Sequence, residues 1–283
     1  MTATYFLRQL EADLTPQYDS AEAAAIARVV LDHLQRCHAA PMDQTIEWTG
    51  TTIDQATSIC LELMRGKPVQ YVLKEAWFDN SLFYVDPSVL IPRPETEELL
   101  DWIKKDHPNR NTIQQVLEIG TGSGILSIGI KRAFPLAAIT AIDLSPDALT
   151  VAKQNASRQN TLIDFRQQDF LDDSQWAHLP DCDILVSNPP YIAKDEEASM
   201  PRQVTNYEPE LALFVPTGDP LLFYRAIGRF GLKKLVPSGS IYVEIHESRG
   251  EETAALFTSL EYEVTLRTDM QGKQRMIRAR KKR

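Results

Sequence analysis

The chain has 283 residues, 43% of them apolar and 24% charged, enough for one large core or two unequal ones. Its longest apolar stretches, such as 125–130, are far too short to span a bilayer, which argues against a membrane-spanning helix. A net charge of −9 leaves no broad basic face of the kind that wraps duplex phosphates, so sequence-specific nucleic-acid binding is not expected.

No positive segment followed by an apolar core marks a signal peptide at the start, and the expected location is the cytoplasm. Cys37, Cys60 and Cys182 are scattered, which reads as reduced thiols. His33, Cys37 and His38 lie within two helical turns, but a metal would need a fourth ligand, so no metal site is expected.

The first 70 residues read as a helical module. Asp19 and Glu22 have capping-box spacing, and Ile26, Val29, Val30 and Leu34 follow on one face. A second helix begins near Thr52, with Ile53, Ala56, Ile59, Cys60 and Leu63 as its apolar stripe, and Gly66 and Pro68 stop it. Between 71 and 90, Trp77-Phe78 and 82–85 flank the polar turn Asp79-Asn80, which predicts a β-hairpin linking two modules. Pro92 and Pro94 then bracket Arg93 ahead of a helix over 97–105.

From Gln115 onward strands and helices alternate. Strands are predicted at 116–119, 138–142, 163–166, 184–187, 240–244, 262–266 and 275–279. Helices are predicted up to Ala133, after the Ser145 cap with Pro146 at its first position, and over 221–235. This alternation predicts an α/β domain over 91–283 with a mostly parallel seven-stranded sheet and helices on both faces.

The turn after the first of these strands is Gly120-Thr121-Gly122-Ser123-Gly124, preceded by Glu118. Such turns also occur where backbones merely pack, but two further acids follow at successive strand ends, where open α/β sheets bind ligands. Asp143 can accept hydrogen bonds from ribose hydroxyls. Asp169 and Phe170 can address the edge and face of an adenine. A dinucleotide turn has its third glycine one residue later, and Glu118 would repel a pyrophosphate while tolerating an ammonium and a sulfonium. S-adenosylmethionine is therefore favoured over NAD as cofactor.

The fourth strand ends in Asn188-Pro189-Pro190-Tyr191. Pro-Pro is a good stop signal and Tyr191 could simply pack, yet an asparagine beside the cofactor turn is a poor core residue. An amide or aromatic amino nitrogen attacks a methyl group poorly because its lone pair is delocalised. Two fixed acceptors for its N–H bonds help: the Asn188 side-chain oxygen and the Pro189 carbonyl, with Tyr191 stacking on the planar group.

The glycine turn, Asp143 and Asp169-Phe170 resemble the first three motifs of class I methyltransferases. Asn-Pro-Pro-Tyr occurs in enzymes that act on adenine, guanine or glutamine nitrogens. Together with 90–97 (Leu-Ile-Pro-Arg-Pro-Glu-Thr-Glu), 207–213 (Tyr-Glu-Pro-Glu-Leu-Ala-Leu) and the helical module, the chain resembles the peptide chain release factor N5-glutamine methyltransferases, the HemK family. The resemblance implies a Rossmann-like fold and methylation of the glutamine in the Gly-Gly-Gln loop of class I release factors.

It further implies that Gly120 to Gly124, Asp143, the Phe170 position and Asn188 contact the cofactor, that Asn188 to Tyr191 contact glutamine, and that the helical module docks the release factor. Arg93 and Glu95 are candidates to brace the active-site wall. The protein is expected to act as a monomer. The alternative is a DNA or RNA amino-group methyltransferase that flips a base into the same pocket.

Overall fold

The computed structural model describes residues 3–38 and 50–282. They form two compact units, Met1–Glu75 and Ala76–Arg283.

The first unit is helical, with helices Ala3–Leu14, Ser20–Cys37, Gly50–Met64 and Val69–Leu73. Asp19 caps the second helix by accepting from the N–H groups of Ala21 and Glu22. Phe6, Leu10, Leu14, Val30, Leu34, Ile59 and Leu63 make its core. Two residues assigned to apolar faces are in fact exposed, Val29 at 42% and Ile53 at 43%. Thr52 takes the buried place at the start of the third helix, one position from Ile53 and so rotated by about 100°. The short helix at Val69–Leu73 occupies ground where the sequence suggests the onset of β structure, because Pro68 opens a helical turn there. Cys37 Sγ lies 3.5 Å from His33 Nε2, whereas His38 turns to Gln55, Nε2 to Oε1 at 3.1 Å.

The second unit opens with a hairpin of β1 (Ala76–Phe78) and β2 (Ser81–Phe83). Asp79 and Asn80 between them have φ of 47° and 57°, the left-handed pair a two-residue hairpin turn demands. The remaining strands are β3 (Gln115–Ile119), β4 (Ala138–Asp143), β5 (Asp164–Gln167), β6 (Cys182–Ser187), β7 (Ile192–Ala193), β8 (Phe214–Val215), β9 (Leu235–Glu244), β10 (Tyr262–Thr268) and β11 (Gln274–Lys281).

Seven of these form one sheet in the order β10-β11-β9-β6-β3-β4-β5, with only β11 running antiparallel to its neighbours. The chain leaves β3 for β4 on one side and returns to β6 on the other. The carboxyl ends of β3 and β6 therefore flank a topological switch point, where such sheets open a crevice.

Strand periodicity explains why both faces are covered. Val116, Ile184, Val186, Tyr242 and Met276 point to one cluster, closed by helices Pro94–Asp106 and Ile125–Ala133. Leu117, Leu185, Ile241, Val243 and Ile277, each one residue out of phase, point to the other. That cluster is closed by helices Leu222–Lys234 and Gly250–Ser259. The last of these helices is not evident in the sequence pattern. β7 and β8 form a separate parallel pair that brings the start and end of the segment after Tyr191 together.

Candidate active site

The glycine turn leaves β3 and enters helix Ile125–Ala133. Gly120, Gly122 and Gly124 have φ of 70°, 52° and 81°, a region that side chains rarely occupy. Gly124 carries a second constraint: a Cβ there would sit 3.2 Å from the Ala152 Cβ. The N–H groups of Gly120 and Thr121 both donate to Ile142 O, at 2.9 and 3.0 Å, and so fasten the turn to the end of β4.

Two acids stand around it. Asp143 accepts from Gly122 N–H at 2.8 Å and from Ser145 N–H at 2.9 Å. Burial raises its pKa against the lowering effect of those donors. Glu118 is buried, and its Oε2 accepts from Thr121 Oγ1 at 2.7 Å, Ser127 N–H at 3.1 Å and Ser127 Oγ. Burial pushes its pKa up to about 7 despite these bonds.

Asn155, which the sequence reading did not single out, supports the turn from below. Its Nδ2 donates to Ser123 O and to Tyr84 O, both at 2.9 Å, while its Oδ1 accepts from Tyr84 N–H at 2.8 Å. A buried amide is stable only with such partners. Its signal was present in the sequence as a polar residue flanked by Ala152 and Ala156 on an apolar helix face.

A cavity of about 320 Å³ lies against the turn, with Glu118, Asp143, Asp169, Phe170, Asn188 and Pro189 in its wall. Thr121, Ser123 and Pro190 line it as well. Asp169 Oδ1 accepts from Leu171 N–H at 2.9 Å. Phe170 is both wall and core: its ring stacks on Trp176 at 5.5 Å and meets Phe230 edge-on at 5.5 Å, and Trp176 Nε1 donates to its carbonyl at 2.8 Å.

A second cavity of about 140 Å³ is bounded by Arg93, Asn188, Tyr191, Met200 and Val204. Asn188 and Arg93 stand in the walls of both. Ser187 Oγ donates to Ile119 O at 2.8 Å, which holds the end of β6 against the end of β3 and sets where Asn188 begins.

Asn188 Nδ2 donates to Thr96 Oγ1 at 3.2 Å, and Thr96 Oγ1 donates to Glu244 Oε2 at 2.6 Å. Tyr191 OH reaches the other oxygen of Glu244 at 3.3 Å. Glu244 is buried at the end of β9, and burial pushes its pKa up to about 7. The Tyr191 phenol is pushed upward by burial and by the charge of Glu244. His246, far from the motif in sequence, meets the Tyr191 ring edge-on at 5.8 Å, and burial lowers its pKa.

Arg93 pairs with Glu208 at 2.5 Å, and Glu208 also accepts from Ile91 N–H at 3.2 Å. The two segments 90–97 and 207–213 are thereby brought together. Thr96, Glu208 and Glu244 had no assigned role from sequence. The only hint for Glu244 is an acid closing an otherwise apolar strand end. Glu95 acts on this network through its charge, which raises the pKa of Glu244.

Residues 95–205 match the family described as Methyltransferase small domain. A release factor glutamine methyltransferase of Flavobacterium psychrophilum is 39% identical over 227 residues, 79% of each chain. The enzyme of that name from Bacteroides thetaiotaomicron is 39% identical over 223 residues, 78% of this chain and 79% of its own. The chain belongs to the release factor glutamine methyltransferase family.

Solved structures place the fold alone. The hMettl16 catalytic domain in complex with the MAT2A 3'UTR hairpin 6 aligns with a TM-score of 0.53 at 15% identity, covering 82% of each chain. A methyltransferase from Pyrococcus furiosus aligns with a TM-score of 0.50 at 16% identity, covering 70% of this chain and 87% of its own.

Proposed function

We propose that the protein methylates the side-chain amide N5 of the glutamine in the Gly-Gly-Gln loop of class I peptide chain release factors, with S-adenosylmethionine as donor. The observation that carries this reading is the position of Asn188 in the walls of both cavities, the larger suited to the donor and the smaller to the acceptor. Family membership favours a glutamine amide over a base amino group.

The residues of the larger cavity fit the donor. Glu118 is a buried carboxylate whose elevated pKa falls back when a cation is placed beside it, which suits an ammonium. Gly120, Thr121, Gly122, Ser123 and Gly124 cradle the amino-acid end, Asp143 accepts from the ribose hydroxyls, and Asp169 and Phe170 address the adenine. S-adenosylmethionine supplies a methyl group on a cationic sulfur, so transfer moves positive charge onto the acceptor nitrogen.

The remaining work belongs to the chain. Asn188 Oδ1 and the Pro189 carbonyl accept the two N–H bonds of the amide and stabilise the positive charge as it develops. Pro189 and Pro190 restrict φ on either side of that carbonyl, so little reorganises during the reaction. The Tyr191 ring flanks the amide plane, with its hydroxyl held by Glu244.

The segment 1–70 serves as the release-factor docking module, 71–90 as a hairpin linker and 91–283 as the catalytic domain. The protein works in the cytoplasm as a monomer, without sequence-specific nucleic-acid contact. None of its described helices is long and apolar enough to cross a membrane.

Purified protein with radiolabelled S-adenosylmethionine should label a class I release factor, and replacing the Gly-Gly-Gln glutamine should abolish the label. Label on duplex DNA or ribosomal RNA, with none on the release factor, would overturn the reading in favour of a base amino-group methyltransferase.

A further inference from the structure

We infer that Thr96 and Glu244 are positioning residues that decide which end of the Asn188 amide faces the acceptor. The inference rests on the reading of Asn188 Oδ1 as an acceptor for the substrate N–H.

An asparagine amide has nearly the same shape after a half-turn about its last torsion, but the turn exchanges a carbonyl oxygen for an NH₂ group. Only the oxygen can accept from a substrate amide. The flipped form would set two NH₂ groups against each other, so an active site built on asparagine needs something to fix its orientation.

The bonds around Asn188 supply it. When ionised, Glu244 can only accept, so the hydroxyl of Thr96, 2.6 Å away, then spends its single proton on Oε2. The Thr96 oxygen is then left with lone pairs and can only accept from Asn188. Nδ2 is the end of the amide that can meet that demand, and it lies 3.2 Å from Thr96 Oγ1. Oδ1 is consequently the free end. Thr96 and Glu244 are each only 2% exposed, so solvent does not compete for the Thr96 hydroxyl or the Glu244 carboxylate.

Both positioning residues are themselves held. Thr96 sits in the first turn of helix Pro94–Asp106, where its N–H donates to Arg93 O at 3.1 Å. Glu244 receives Tyr191 OH on its second oxygen, the arrangement expected of a carboxylate that accepts at both ends. Its own backbone carbonyl accepts from Tyr224 OH at 3.1 Å. The relay thus joins a helix start, the end of β9 and the substrate motif, three segments that meet only in the fold.

The test uses the full chain, carrying Thr96→Val, Thr96→Ser or Glu244→Gln. With nitrogen-15 asparagine labelling, the Asn188 side-chain signals are assigned by their loss in Asn188→Ala. Hydrogen exchange at the Nδ2 proton facing Thr96 should quicken at least about tenfold in Thr96→Val and stay slow in Thr96→Ser. Because it needs no methyl acceptor, this measurement decides the relay even if release factor proves not to be the substrate. A wild-type protein that leaves release factor unlabelled would refute the substrate reading alone.

On release factor, kcat should fall roughly tenfold to hundredfold in Thr96→Val and recover in Thr96→Ser, with KM for S-adenosylmethionine nearly unchanged. Glu244→Gln, which can donate to Thr96 and so permit the reversed chain, should fall in the same direction. If Thr96→Val does not fold, Glu244→Gln carries both measurements. Unchanged Asn188 exchange in Thr96→Val or Glu244→Gln, or a kcat for Thr96→Ser as low as that of Thr96→Val, sinks the inference.

Discussion

Arg93 and Glu208 meet at 2.5 Å across 115 positions of sequence, with the Glu208 side chain only 2% exposed and Arg93 33% exposed. The pair closes the entrance to helix Pro94–Asp106 onto the segment that follows the Asn188-to-Tyr191 motif, and Arg93 borders both cavities. A shielded carboxylate left without its cation is expensive, whereas a lone partly exposed arginine is not.

Arg93→Ala should therefore destabilise the second unit by about 2 kcal/mol, below the usual cost of breaking a buried pair because Arg93 still reaches solvent. Activity should fall with it, through KM for the protein substrate more than for the cofactor. Thermal melting together with steady-state kinetics checks this. A variant with wild-type melting and kinetics would show the pair to be incidental.

Asn188→Ala removes one of the two proposed acceptors for the substrate amide. The rate of methyl transfer should drop by roughly 10²–10³, in line with loss of one preorganised hydrogen bond in a transition state. Binding of S-adenosylmethionine should change by no more than a few fold. Single-turnover labelling alongside calorimetric titration separates the two effects, and a loss confined to cofactor affinity would contradict the assignment.

The glycines of the turn should not be equivalent. Gly124→Ala forces a side chain into φ of 81° and against Ala152 at 3.2 Å, so it should cost at least about 1–2 kcal/mol. Gly122→Ala meets no atom within 4 Å and carries the conformational cost alone. Denaturant unfolding of the two variants should rank Gly124→Ala as the less stable. Equal losses would mean that helix Pro146–Arg158 yields to the added methyl group.

Glu118 gives a pH signature with a definite sign. Its folded pKa, about 7, lies above the ordinary carboxylate value, so the folded protein binds more protons than the unfolded chain between about pH 4.5 and 7. Stability of the ligand-free protein should accordingly decline as pH rises through that window. Cofactor affinity should rise over the same window as Glu118 ionises and attracts an ammonium. Glu118→Gln should flatten the affinity trend and weaken the stability trend, leaving the shares due to Asp143 and Glu244, whose pKa values burial also raises. A cofactor affinity that stays flat with pH in the wild type would exclude ionised Glu118 as the ammonium partner.

Local patterns made much of the molecule legible. The Asp19 and Ser145 caps, the Asp79-Asn80 turn, the alternating strands and the positive-φ glycines each obey rules set within a few residues, so they can be read from order alone. The same holds for the Asn188-to-Tyr191 motif and the acids at strand ends, whose spacing follows the repeat of strand and helix. Val29 and Ile53 were misplaced because a helical stripe is wide and its edge is settled by the neighbouring helix. Helix Gly250–Ser259 and the short elements between 192 and 215 gave weak patterns, because packing against the sheet and the pairing of β7 with β8 hold them in place.

The sequence by itself determined the fold class and the glycine turn, and it singled out the Asn188-to-Tyr191 corner that we propose reacts. Only the tertiary structure decided that Asn155 props the turn, that Arg93 finds Glu208, and that Asn188, Thr96, Glu244 and Tyr191 form one connected chain. The physical reason is that a buried polar group must be paired but has no preference for partners close in sequence. Which partner it takes depends on where strands and helix ends come to rest, and no local rule carries that information.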